Sequence, residues 1–127
     1  MYEPMKTILI IEDNQPISEI IRETLEGVAG YQAITVPDAM EALELLRRLE
    51  VDLVILDVAL PGMDGFELYE VLEKELADRP VPVVICSAMD RKQIDSWMQR
   101  RNIRYHVPKP FDLDDLLDCV ALALEQA

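Results

Sequence analysis

The sequence predicts an α/β fold: an open, parallel β-sheet with helices on both faces. Three observations carry this. Short apolar runs alternate with helix-periodic segments five times along the 127 residues. The first, third and fourth runs are continuously apolar, as strands covered on both faces must be. Each helical segment is long enough to serve as a right-handed crossover between parallel strands. Half of the residues are hydrophobic, so a single domain over residues 1–127 has the material for a core.

Each element follows from its own residues. "TILII" (7–11) is a buried strand. Ile17, Ile20, Ile21, Leu25 and Val28 then recur at helical spacing up to Gly30. "QAITV" (32–36) is the second strand. Asp38, with Glu41 three residues on, starts a helix whose stripe is Ala42, Leu43, Leu46 and Leu49. "DLVIL" (52–56) is the third strand, and Asp64 is the cap of a helix carrying Leu68, Val71, Leu72 and Leu76. "VPVVICS" (81–87) is the fourth strand. Ile94, Trp97 and Met98 mark a fourth, weaker helix that stops at Asn102, with Trp97 half-buried in its packing. "IRYHV" (103–107) is shorter and more polar, which suits an edge strand. Asp112 caps the last helix, which turns Leu113, Leu116, Leu117, Val120 and Leu124 inward.

Charge narrows the partners. Twelve Lys and Arg stand against 25 Asp and Glu, a net charge of −13. That balance repels nucleic acid and anionic membranes and favours divalent cations or basic partners. Cys86 and Cys119 have no metal-ligand spacing, so two reduced thiols are expected. No apolar stretch approaches 18 residues and "MYEPMK" lacks a signal-peptide core, so the expected location is cytoplasmic.

In open α/β sheets, ligands bind beyond the carboxyl ends of the strands. Strand one ends in Glu12 and Asp13, strand three in Asp57, strand four in Ser87, and strand five runs into Lys109. Strand two ends in Val36 and Pro37, which carry no reactive group. With strands one, three and four adjacent, three acids, a hydroxyl and an ammonium share one pocket. Crowded carboxylates repel unless a cation sits among them. Mg²⁺ suits such a site, since it binds through one or two carboxylates, waters and a phosphate. Lys109 and Ser87 then serve phosphoryl oxygens, and Asp57 is the nucleophile of an aspartyl phosphate.

"ILIIEDN", "LDVALPGMDG", "CSA" and "KPF", at these spacings, resemble the receiver domain of two-component response regulators over essentially the whole chain. The resemblance implies a three-layer, doubly wound (βα)5 flavodoxin-like fold with five parallel strands in the order 2-1-3-4-5. It implies that Asp57 is the phosphoacceptor, with Ser87 and Lys109 on the phosphoryl group. Glu12, Asp13, Asp57 and the backbone carbonyl of Ala59 would be the Mg²⁺ set, Glu12 through water. A cis peptide bond between Lys109 and Pro110 is expected, and Gly65 fits a tight start to the third helix. The implied partner is a sensor histidine kinase or a histidine phosphotransfer protein. The module would assist its own phosphorylation and dephosphorylation without being a turnover enzyme, and on phosphorylation would shift its helix 4–strand 5–helix 5 face.

Some positions depart from the family pattern. The switch set is Ser87 with an aromatic three residues before the lysine, but that position here is His106, with Tyr105 before it. Either His106 takes the switching role or Tyr105 points away and the switch is muted. Asn102 and Ile103 replace the usual Gly-Ala. Ala59 and Met89 cannot hydrogen-bond an attacking water, so slow self-dephosphorylation is expected. Arg91, Lys92, Arg100, Arg101 and Arg104 oppose Asp112, Asp114, Asp115, Asp118 and Glu125 across that face, a pattern suited to a symmetric homodimer.

Other chemistries fit less well. An aspartyl-nucleophile phosphatase of the haloacid dehalogenase type wants a second Asp where Ala59 stands. A flavodoxin-like cofactor binder would not place "EDNQP" against a phosphate, because its two acids repel one. A degenerate receiver would not need the complete set of acids, Ser and Lys.

Overall fold

The computed structural model describes residues 5–58, 65–88, 91–101 and 103–126. Strands β1 (Thr7–Ile11), β2 (Gln32–Val36), β3 (Leu53–Asp57), β4 (Val83–Ser87) and β5 (Tyr105–Pro108) alternate with five helices. These are α1 (Gln15–Gly27), α2 (Ala39–Leu46), α3 (Gly65–Glu75), α4 (Arg91–Arg100) and α5 (Leu113–Glu125). The strands form one parallel sheet in the order β2-β1-β3-β4-β5. The three central strands are β1, β3 and β4, the runs with the most apolar sequence, and β5 is an edge.

Alternation along the strands divides the core in two. Leu9, Ile11, Val54, Leu56 and Ile85 face α2, α3 and α4. Ile8, Ile10, Leu53, Ile55, Val84, Cys86 and Val107 face α1 and α5. The helices close each layer with Ala42, Leu68, Leu72, Ile94, Trp97 and Met98 on one side. Ile21, Leu25, Leu116, Val120 and Ala123 close the other.

Caps fix the helix starts just beyond the carboxyl ends of the strands. Asn14 accepts from the Ile17 N–H at 3.1 Å, Asp38 from Glu41 at 2.9 Å and Asp112 from Asp114 at 2.8 Å. The expected caps Asp64 and Asn102 lie outside the described residues. At the opposite edge, Asp52 accepts from the Thr7 N–H at 2.8 Å, and Arg79 donates to Asp52 and to the Val51 carbonyl.

Three expected inward residues face solvent. Ile20 is 51% exposed because it lies to one side of the Ile17–Ile21–Leu25 stripe. Val28 lies in line with that stripe but is 74% exposed, because α1 has ended and the chain turns away through Gly30 (φ 73°). Leu49 is exposed for the same reason: α2 ends at Leu46. The opposite miss is Ser18, a polar residue buried on the inner side of α1, whose hydroxyl donates to the Gln15 carbonyl at 3.0 Å.

Candidate functional site

Parallel pairing brings the chemistry to one edge. Ile11 pairs with Leu56, Asp57 with Cys86 and Ser87 with Pro108, so the ends of β1, β3, β4 and β5 lie side by side. Glu12 and Asp13 follow β1 directly, Asp57 closes β3, Ser87 closes β4 and Lys109 follows β5. The Lys109 N–H donates to the Ser87 carbonyl at 2.8 Å, which ties the last two together. The Lys109–Pro110 peptide bond is cis.

Glu12, Asp57 and Ser87 are buried and Asp13 is exposed. The Lys109 ammonium donates to Glu12 Oε1 at 2.5 Å and to Asp57 Oδ2 at 3.3 Å. Its nearer partner is therefore Glu12. The other Glu12 oxygen accepts from the Asn14 N–H at 3.3 Å, and the Glu12 N–H donates to the Val36 carbonyl at 3.1 Å. Burial, reinforced by the neighbouring Asp57, pushes the Glu12 carboxyl up to about 7, although Lys109 pulls the other way. Burial alone would lower Lys109. The hydrogen bonds and negative charges of Glu12 and Asp57 outweigh it and hold the ammonium above its usual range. Burial pushes the Cys86 thiol, beneath the pocket, up to about 12.

One oxygen each from Glu12, Asp13 and Asp57 lies within 4.8 Å of the others. Opposite ligands of one Mg²⁺ stand about 4.2 Å apart, so the three acids fit a hard cation with little rearrangement. The expected carbonyl ligand Ala59 and the flanking Met89 lie outside the described residues.

Glycine shapes the support of Asp57. The Gly65 N–H donates to the Val58 carbonyl at 3.0 Å, and a Cβ on Gly65 would stand 2.1 Å from the Val58 Cα. Only a residue without a side chain lets α3 start this close to the end of β3.

The two expected switch residues point to opposite faces of β5. Tyr105 packs with the α1–α5 layer and donates to Gln126 Oε1 at 2.5 Å. His106 is half-buried on the α4 side, in a groove with Asp95 and Met98. The structure buries Trp97 more deeply than its half-buried expectation: it is 7% exposed, with Phe66 tilted against it, Tyr69 edge-to-face and the Arg101 guanidinium over its ring. Among the described residues its indole N–H has no hydrogen-bond partner. Arg101 pairs with Glu70 on α3, so it turns away from the acidic residues of α5. The Arg91 side chain lies outside the described set.

A doubly wound parallel sheet with paired acids, a hydroxyl and a lysine at its carboxyl edge defines a receiver-type signalling module. The chain belongs to the response regulator receiver domain family, whose model matches residues 8–121. It is 30% identical over 113 residues to the sporulation initiation phosphotransferase F of Bacillus subtilis, covering 89% of each chain. It is 26% identical to the polar-differentiation response regulator DivK of Brucella ovis, over 96% of this chain and 98% of that one. Among solved structures, the signal receiver domain of an HD domain-containing protein from Pseudomonas fluorescens superposes with a TM-score of 0.85, at 28% identity and 97% coverage of both chains. Receiver domains act in two-component, phosphorylation-based signalling. They generally bind Mg²⁺ at an acidic pocket and interact with histidine kinases or phosphotransfer proteins. No described helix is long and apolar enough to cross a membrane.

Proposed function

We propose that residues 1–127 are one receiver domain in which Asp57 takes a phosphoryl group from the phosphohistidine of a sensor histidine kinase or histidine phosphotransfer protein, with Mg²⁺ required. The observation that carries this is the Lys109 ammonium held between Glu12 and Asp57, with the Asp13 carboxylate alongside. An Asp57 oxygen forms the new P–O bond. The P–N bond breaks, and the imidazole nitrogen keeps the electron pair and takes a proton from solvent. Asp13, Asp57 and the Ala59 carbonyl would hold Mg²⁺, with Glu12 reaching it through water, and the ion would supply charge neutralisation for the phosphoryl oxygens. Lys109 lies within 3.3 Å of the nucleophile and would follow the phosphoryl oxygens, and the Ser87 hydroxyl donates to another. Reorganisation of these two groups biases the packing of α4, β5 and α5 between two populations. The chain acts as a signalling module rather than a turnover enzyme: it assists its own phosphorylation and dephosphorylation, and its output is the changed α4–β5–α5 surface.

The same reading makes the protein cytoplasmic, and its −13 charge weighs against nucleic acid or an anionic membrane as a direct partner. A homodimer through α4–β5–α5 is suggested by the basic residues Lys92, Arg100 and Arg104 on and after α4 and the acidic residues Asp112, Asp114, Asp115, Asp118 and Glu125 at and along α5. A monomer by sedimentation both with and without phosphorylation removes the dimer. The chemistry is tested by incubation with Mg²⁺ and acetyl phosphate. One added phosphoryl group by intact mass is expected, and Asp57→Asn should abolish it; unchanged labelling of that variant rejects the assignment.

A further inference from the structure

His106 is the chain's single histidine, and thus the one side chain that ordinarily titrates close to neutrality. It sits half-buried between β5 and α4, in a groove of about 440 Å³ lined with Asp95, Met98, Gln99, Ile103 and Arg104. We propose that protonation of His106 sets how α4 rests on β5, so that this surface responds to pH as well as to the state of Asp57.

Among the described residues, the charged groups lining the groove are Asp95, from α4, and Arg104, from the segment leading into β5. On the other side β4 presents Ile85, in register with His106 and uncharged. A neutral imidazole packs against Met98 and Ile103 at little cost. An imidazolium in the same place loses hydration, shares the groove with the like charge of Arg104 and has the Asp95 carboxylate in the same groove as an opposite charge. The attraction to Asp95 crosses from strand to helix, so the proton ties α4 to β5 and its loss releases α4. Tyr105 does not share this role, because its side chain lies on the other face of the sheet. Ser87 closes the neighbouring strand, two positions beyond Ile85, so β4 is the path by which a change at His106 would reach the edge of the pocket. The coupling to Asp57 rests on the phosphoacceptor reading. The pH response of the unmodified protein does not.

Backbone amide NMR between pH 5.5 and 8 provides the test, on unmodified protein and on protein labelled with Mg²⁺ and acetyl phosphate, with labelling measured separately by intact mass. In unmodified protein carrying Glu12→Gln, which removes the carboxyl that titrates near 7 beside Lys109, α4 and β5 amides should titrate together with one midpoint, shared with the His106 ring signals. His106→Phe should abolish the shared titration, and so should His106→Gln, which keeps a polar side chain. Asp95→Asn should move the midpoint down by ~0.5–1 unit, as loss of a nearby opposite charge requires. In labelled protein the α4 displacement per phosphorylated molecule should be larger at pH 8 than at pH 6. Amides of α4 and β5 that stay fixed across the range, or titrate equally in both His106 variants, overturn the proposal. Failure of Asp57 to label would reject the phosphoacceptor reading and leave the unmodified titration to decide this one.

Discussion

Gly65→Ala tests how the fold holds its nucleophile. The new methyl would stand 2.1 Å from the Val58 Cα and 2.7 Å from its carbonyl carbon and oxygen. Carbon atoms rest about 3.5 Å apart, so Val58 or the start of α3 must give by about 1.4 Å. Overpacking on backbone costs about 2 kcal/mol, and loss of the 3.0 Å Gly65–Val58 hydrogen bond about 1 kcal/mol more. A destabilisation of about 3 kcal/mol lowers the melting temperature of a chain this size by roughly 10 °C. Val58 adjoins Asp57, so the shift also moves the reacting oxygen, and a displacement of this size slows labelling by ~10–100-fold. Circular dichroism melting and a time course of acetyl phosphate labelling give both readouts. A melting temperature within about 2 °C of wild type, with labelling unchanged, would refute the claim that Gly65 sets the geometry of β3's end.

Four further outcomes are expected. Lys109→Ala should slow Asp57 labelling by less than about tenfold yet remove the α4–β5–α5 amide shifts that follow it; shifts that persist would take Lys109 out of the relay. Without Mg²⁺, folded Glu12 keeps its proton to about pH 7 while the unfolded chain releases it near the ordinary 4.5. The folded state thus binds more protons in that window, so this stability is fully present below pH 4.5 and lost as pH rises through 7. Urea unfolding in chelator should show it as a slope of at most about 1.4 kcal/mol per pH unit, absent in Glu12→Gln. A thiol-reactive disulfide reagent should modify Cys119 first and reach Cys86 only on unfolding, since burial raises the thiol of Cys86 to about 12; prompt reaction at both contradicts this burial. Phosphorylated protein should lose its label over minutes to hours, and a half-life of seconds would contradict the role given to Ala59 and Met89.

The sheet was legible because parallel strands buried on both faces leave unbroken apolar runs, and β1, β3 and β4 carry them. The pocket was legible for a related reason: a parallel sheet delivers whatever follows each strand to one edge, which gathers Glu12, Asp57 and Lys109 from the ends of β1, β3 and β5. What periodicity missed were ends and pairings. Val28 has the right angular position on α1 but lies past its last turn, a boundary no hydrophobic pattern marks. Ser18 takes an inward place because its hydroxyl finds the Gln15 carbonyl, and a scan for apolar residues passes over it. The preference of Lys109 for Glu12 over Asp57 depends on two loops meeting at 2.5 Å, and Arg101's turn toward Trp97 and Glu70 on packing between α3 and α4. Neither has a linear signature. The opposite aims of Tyr105 and His106 follow from strand alternation once the register of β5 is known.

The most direct test is to locate the phosphoryl group chemically. After incubation with Mg²⁺ and a phosphoramidate donor, borohydride reduction converts a phosphorylated aspartate to homoserine, which peptide mass spectrometry places by residue. Homoserine at position 57 alone, dependent on Mg²⁺, is the predicted result. Homoserine at Asp13 or another acid, or none at all under conditions where the protein is folded, contradicts a pocket organised around Asp57.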